Sequence, residues 1–339
     1  MWSVSQCWLS NRITALKKIF LTLRFHVQPI APQVWCCLFR KSAMSEHISL
    51  SEPSRFHRRL AHFNAARISP TVPSRHWKGD LQEDLQCCFA EGGFLETLRA
   101  EVVPLTRKWH DTASFLSWFE ELVDNGPGQH HALLDWLESY ATLEQMRWFL
   151  KQEAAAEAGF EDLLAYTQVR LPIRAKLECA RNFWDEMGHG RESAAHGRLL
   201  ERMVKELDLR PAINTTVWES LALSNTMVGL AFNRRYAFHA IGTLGIIELT
   251  APGRVKKIAA GMKRLGLDGR TRAYYDLHAV LDGSHSRAWL REIIGPLVEA
   301  DAGCKRHIAE GALMRLVCSE RCFDRYYTEM LEEKMTQVC

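Results

Sequence analysis

Two imidazoles and a carboxylate recur at helical spacing in His278-Ala-Val-Leu-Asp282-Gly-Ser-His285, at i, i+4 and i+7. At about 100° per residue, seven steps bring a helix almost back to its starting angle, so all three side chains share one face. Two His and one carboxylate form a ligand set suited to iron, and less distinctively to manganese or zinc. A solvated polar stripe would have the same spacing. The setting argues for ligands, because Tyr274, Tyr275, Leu277, Val280 and Leu281 surround the triad and polar groups buried without a partner are costly.

Other acids and imidazoles also stand in apolar surroundings. Glu248 follows His239-Ala-Ile-Gly-Thr-Leu-Gly-Ile-Ile247 and precedes Leu249. A carboxylate there is either paired with a cation or metal, or protonated. Glu153 lies one turn beyond Trp148, Phe149 and Leu150, before the small residues Ala154–Ala156 that permit close helix approach, and Glu157 competes for the same role. The segment Asn182-Phe-Trp-Asp-Glu186-Met-Gly-His189-Gly-Arg-Glu-Ser-Ala-Ala-His196 offers three more candidates. Ideal helix geometry favours the pair His189 and His196, seven apart, over Glu186 and His196, ten apart. Gly188 and Gly190 weaken that argument by loosening or kinking the helix. Geometry leaves the choice open.

The elements that would position these residues are helical. From about residue 80 the apolar residues recur at three and four, as in Phe115, Trp118, Phe119 and Leu122. Segments 142–158, 174–188, 191–207, 217–231, 235–250, 254–265, 270–282, 286–300 and 303–333 all read as helices, punctuated by Arg210-Pro211, Pro252-Gly253 and Gly266. No alternating run is long enough for a sheet. The pattern predicts an all-α bundle, a fold that builds metal sites by aiming carboxylates and His inward from several helices. Residues 44–79, with Pro53, Pro70 and Pro73, read as an irregular arm, and 80–335 as the helical domain.

The 339 residues, 47% of them hydrophobic, are ample for a packed core. Residues 1–43 hold six Lys/Arg and no Asp or Glu; the remainder carries 37 basic against 40 acidic residues, so nothing in it suggests a nucleic-acid surface. That basic extension reads as a targeting peptide, a surface-binding amphipathic helix, or translated upstream sequence with Met44 the true start. The last reading is preferred. No apolar run approaches the roughly 20 residues needed to span a membrane. Ten cysteines without a Cys-x-x-Cys in so long a chain read as thiols in a reducing cytoplasm.

Taken together, the residues resemble the haem-oxygenase-like non-haem diiron oxidases and oxygenases, which share the helical bundle of haem oxygenase but hold two irons in place of haem. The matching features are His278-x3-Asp282-x2-His285, Glu248 thirty residues upstream in a Gly-rich apolar helix, Asn182-x-x-Asp185-Glu186-x-Gly-x-Gly190…His196, and Glu153 in a Trp-Phe-Leu-x-x-Glu helix. The resemblance covers roughly residues 80–300 and implies a haem-oxygenase-like helical bundle with Glu153, Glu186, His196, Glu248, His278, Asp282 and His285 as ligands of two Fe(II) ions. It assigns Glu186 and His196 to the metals and gives His189 a supporting or surface role. The stretch from Glu153 to Glu186 is long for the family, which leaves room for Glu157.

The chemistry implied is O2-dependent oxidation without a protein nucleophile, the carboxylates serving as hard donors that stabilise ferric iron. Retention of the carboxylate at Glu186 points toward N-oxygenation of a small amino-acid-derived substrate in specialised-metabolite biosynthesis. Oxidative C–C cleavage or decarboxylation at the same site is the alternative, and a non-enzymatic iron-binding helical protein is the alternative of another class. An external electron donor and a homodimer are compatible with this reading. Arg174, Arg181, Arg234 and Arg235 lie near these helices as candidates for a substrate carboxylate, although surface ion pairing is their plainer reading. Cys179 would be the nucleophile of a thiaminase-like rival, and a proximal His the requirement of a haem-binding one.

Overall fold

The computed structural model describes residues 52–338 except 158, without the side chains of 280–284 and 333–338. The readings of residues 1–43 lie outside these residues, as does the Asp282 side chain. No described residue lies in a strand. None of the described helices is long and apolar enough to cross a membrane.

The helices are α1 (Pro53–Ile68), α2 (Trp77–Val102), α3 (Thr112–Asn125), α4 (Ala132–Ser139), α5 (Leu143–Ala156), α6 (Phe160–Thr167) and α7 (Ile173–Glu186). They are followed by α8 (His196–Glu206), α9 (Trp218–Phe232), α10 (Ala237–Arg264), α11 (Ala273–Ala288), α12 (Gly295–Ala300) and α13 (Cys304–Val338). A π-helical stretch, Trp289–Ile294, joins α11 to α12.

Local chemistry sets the starts of the helices that matter most. Thr142 opens α5 with a reciprocal cap, its hydroxyl accepting from Gln145 N at 3.2 Å while Gln145 Oε1 accepts from Thr142 N at 3.1 Å. The arm expected over 44–79 contains α1, because Pro53 stands in the first turn, where its missing N–H has no helical partner to lose. Phe56 and Leu60 of α1 are buried, and Asn64 donates to Asn225 Oδ1 at 2.8 Å. The short helix α6 was not anticipated at all.

Helix α10 is the central beam, packed against α4, α11 and α13. It approaches α13 so closely that a Cβ on Gly242 would stand 1.9 Å from the Ile308 carbonyl oxygen, and one on Gly311 would stand 2.0 Å from that of His239. Only glycine fits either position. The two helices expected over 235–250 and 254–265 are this single one, running through Pro252. The proline cannot donate to the carbonyl four residues back, which belongs to Glu248. Packing on three sides carries the helix across that gap.

Candidate metal centre

Four helices converge on one buried group of side chains. Helix α7 ends at Glu186, and the next residues leave the right-handed region: Gly188, His189 and Gly190 have φ of 60°, 55° and 77°. A Cβ on Gly188 would meet the Ala194 carbonyl carbon at 2.4 Å. This tight reversal restarts the helix at His196, the first residue of α8. It brings His196 Nδ1 to 2.6 Å from Glu186 Oε2, although the two are ten residues apart. The glycines were the signal that an ideal-helix argument would fail here.

Glu186, His196 and His278 form one trio whose candidate ligand atoms all lie within 4.8 Å of one another; Glu186, Glu248 and His285 form a second. Glu186 belongs to both. Each imidazole is oriented so that one nitrogen faces the cluster. His278 donates from Nδ1 to the Tyr274 carbonyl at 2.7 Å, which leaves Nε2 for a ligand. His285 donates from Nε2 to Asp185 Oδ2 at 3.0 Å, and its Nδ1 lies 3.4 Å from Glu248 Oε2. Glu248 is steadied in turn by Asn182, whose amide donates to Oε1 at 2.8 Å. The Nδ1 atoms of His196 and His285 are buried, each close to a carboxylate without a well-aligned hydrogen bond to it.

The electrostatics are those of a site short of positive charge. Burial first, then repulsion from Glu248, lifts the Glu186 carboxyl well above the usual carboxylate range. Burial lowers His196 and His278 to about 4, so both rings are neutral and have a lone pair to give. Burial alone would lower His285 as well, but Glu248 and Asp185 on either side outweigh it and raise it to about 9. Buried carboxylates that repel one another, beside the neutral imidazoles of His196 and His278, match the donor set of hard or borderline divalent cations such as iron. The residues therefore fit iron.

The remaining candidates are spread around this centre. Glu153 is not among the gathered residues; its carboxylate lies 3.8 Å from the guanidinium of Arg254. Glu157, just beyond α5, accepts from the backbone N–H groups of Gly159 at 2.9 Å and Phe160 at 3.2 Å. Loss of bulk water, followed by repulsion from Glu161 and, more weakly, Glu186, raises it to about 7. Sequence reasoning passed over Glu161, which in the first turn of α6 reads as a dipole partner and nothing more. Its Oε1 lies 3.0 Å from where a Cβ on Gly197 would stand, next to His196. His189 is largely exposed and pairs with Asp185 Oδ1 at 2.9 Å.

A cavity opens beside the cluster, lined by Glu153, Glu157, Glu186, Glu248 and His278 among others. The four arginines considered as substrate binders do not border it. Arg174 pairs with Glu292 and Arg181 with Glu178, Arg234 donates to carbonyls around Thr167, and Arg235 is exposed. The cavity contains two other arginines, Arg254 and Arg315.

A sequence model of a family described as iron-containing redox enzymes matches residues 147–320, the stretch from α5 to α13 that holds every candidate ligand above. No curated protein matches the chain in sequence. Two crystal structures of a CADD-like protein of unknown function from Nostoc punctiforme are similar in fold. One has 13% identity and a TM-score of 0.50 over 66% of this chain and 96% of that one. The other has 15% identity and a TM-score of 0.51 over 65% and 98%.

Proposed function

The chain belongs to the iron-containing redox enzymes, and from that premise we propose that it is an O2-dependent non-haem diiron oxygenase that N-oxygenates a small amino-acid-derived substrate. The observation that carries the reading is the pair of trios sharing Glu186. A carboxylate common to two sets of donors suits two metals held side by side. Glu186, His196 and His278 would hold one iron, and Glu186, Glu248 and His285 the other, with Asp282 joining from the same helix as His278 and His285. Glu157, which lines the cavity, is the better carboxylate from the α5 end, because Glu153 already faces Arg254.

Bound there, two ferrous ions would supply the electrons that activate O2. The chain's own contribution is orientation and exclusion of water. Tyr274 O and Asp185 fix the tautomers of His278 and His285, and Asn182 aims Glu248. Tyr274, Tyr275 and Leu223 contribute bulky side chains to the cavity lining. Retention of Glu186 supports N-oxygenation over fragmentation of the substrate. A thiaminase-like reaction is disfavoured, since Cys179 is fully buried and its thiol is raised, mainly by that burial, to about 12.

The test is anaerobic loading of the chain with Fe(II), followed by exposure to O2. About two irons per chain are expected, with O2 consumed and an absorbance change that requires it. A chain that binds two irons and oxidises no faster than free Fe(II) would be an iron-binding protein and not an oxygenase.

A further inference from the structure

Arg315 lies on α13 within an apolar run, Leu313-Met-Arg-Leu-Val317, and is 7% exposed. Its Nε has no hydrogen-bond partner, and its guanidinium makes no ion pair with any described residue. Arg254, on α10, borders the same cavity. The acid that serves both is Glu153, which lies 3.8 Å from Arg254 and also attracts Arg315. Two guanidiniums share one carboxylate, so this end of the cavity retains about one uncompensated positive charge.

Burying a cation without a partner is costly, and the cost is tolerated where a ligand completes the pair. The planar guanidinium matches a carboxylate in two parallel hydrogen bonds. The cavity that both arginines share with Glu186, Glu248 and His278 is also lined by the apolar side chains of Leu223, Met227, Ile247 and Val255. The cavity thus joins two arginines, a group of acids with His278, and apolar surface in one space. A second cleft reaches the exposed residues Asp124 and His130 from the same two arginines.

We propose that Arg315 and Arg254 form an anion subsite for a substrate carboxylate, so that the molecule oxidised is a small carboxylic acid with its reacting group turned toward the cluster. The assignment of a reacting group rests on the diiron reading; the subsite itself does not. Arg254 lies where the cavity meets the outer cleft, and Arg315 completes the pair from α13. Glu153 holds the two cations in place until the ligand arrives.

The experiment compares hexanoate, hexyl phosphate and 1-hexanol, titrated into the full-length protein and followed by tryptophan fluorescence. It is run on Fe(II)-loaded protein under argon and again after chelator treatment. Hexanoate should bind both forms at least about ten-fold more tightly than hexanol, and Arg315→Gln should remove that preference while leaving iron content unchanged. Arg315→Lys should restore part of it. Hexyl phosphate binding more tightly than hexanoate would overturn the carboxylate assignment. Equal binding of hexanoate and hexanol by the wild type would overturn the subsite, as would a preference that disappears with the iron. If Arg315→Gln does not fold, Arg254→Gln, on a partly exposed side chain, decides the same question. Iron stoichiometry of the wild type, measured in the same samples, reports separately on the diiron reading.

Discussion

Asp185 receives His285 Nε2 on one carboxylate oxygen at 3.0 Å and His189 Nε2 on the other at 2.9 Å. One residue thus steadies a buried imidazole of the cluster and an exposed imidazole of the turn that follows. Its neighbour Glu186 belongs to both trios, one of which contains the same His285.

That arrangement makes Asp185 a positioning residue for His285. Asp185→Ala should free the ring to rotate and weaken iron retention about 10- to 100-fold, the usual effect of removing a partner behind a metal-bound His. Competition with a chromophoric chelator would measure it, and circular dichroism should show the helices unchanged. Asp185→Asn can still accept from Nε2 and should fall between. Unaltered affinity in the alanine variant would mean that packing alone orients the ring.

His189 and His278 give a cleaner contrast. His189 is largely exposed and touches the cluster only through Asp185, whereas His278 offers its Nε2 directly. His189→Ala is expected to keep both irons, and His278→Ala to lose one. Metal analysis of the two purified variants decides it. Loss of iron from the His189 variant would place that side chain at the metals.

Much of this was legible in the sequence. Polar residues stranded in apolar helices, such as Glu248 and His285, had to be partnered, and the helical period fixed the bundle around them. What periodicity could not supply was the path of the chain between helices. Glu186 and His196 meet because three consecutive residues adopt positive φ, and a helical wheel has no place for such a reversal. Pro252 read as a break, yet tertiary packing holds α10 together through it. Glu153 and Glu157 are one turn apart with similar neighbours in sequence, and only the position of Arg254, about a hundred residues away, separates them. Arg315 was the missed signal. A lone cation in an apolar run is as anomalous as a lone carboxylate.

Away from the centre, Glu310 ties three elements together. It accepts from Arg99 Nε at 2.7 Å on α2, from His239 Nε2 at 3.1 Å on α10, and from Arg306 Nε at 2.7 Å on α13, with His307 3.7 Å away. Burial alone would raise this carboxyl, but the three hydrogen bonds outweigh it and lower it from 4.5 to about 2. Burial keeps His239 neutral near pH 7, so the arginines supply the charge. A carboxylate with a depressed folded pKa stabilises the fold above its unfolded value, and the benefit is lost as pH falls toward the folded one. Glu310→Gln should therefore cost roughly 2 kcal/mol at pH 6, allowing for solvent around Arg306. The gap from wild type should narrow as pH falls below 4.5 and close only as it passes about 2. Urea denaturation at pH 6, 4 and 3 would test this, and a constant gap would contradict it.

The last prediction separates the acids at the α5 end of the cavity. Glu157 stands among carboxylates that repel it, Glu161 and Glu186, and a cation would relieve all three. Glu153 stands against Arg254 and attracts Arg315. Glu157→Ala should therefore release one iron, while Glu153→Ala should keep both. The second variant leaves two guanidiniums facing each other without a carboxylate, so it should lose roughly 2–3 kcal/mol of stability. It should also bind hexanoate more tightly than wild type, because the incoming carboxylate no longer competes with one already present. Iron per chain and hexanoate affinity, measured on the same two proteins, give opposite patterns if the roles are as assigned. If Glu153→Ala is the variant that loses iron, the two acids have exchanged places, and the positive end of the cavity must be balanced in some other way.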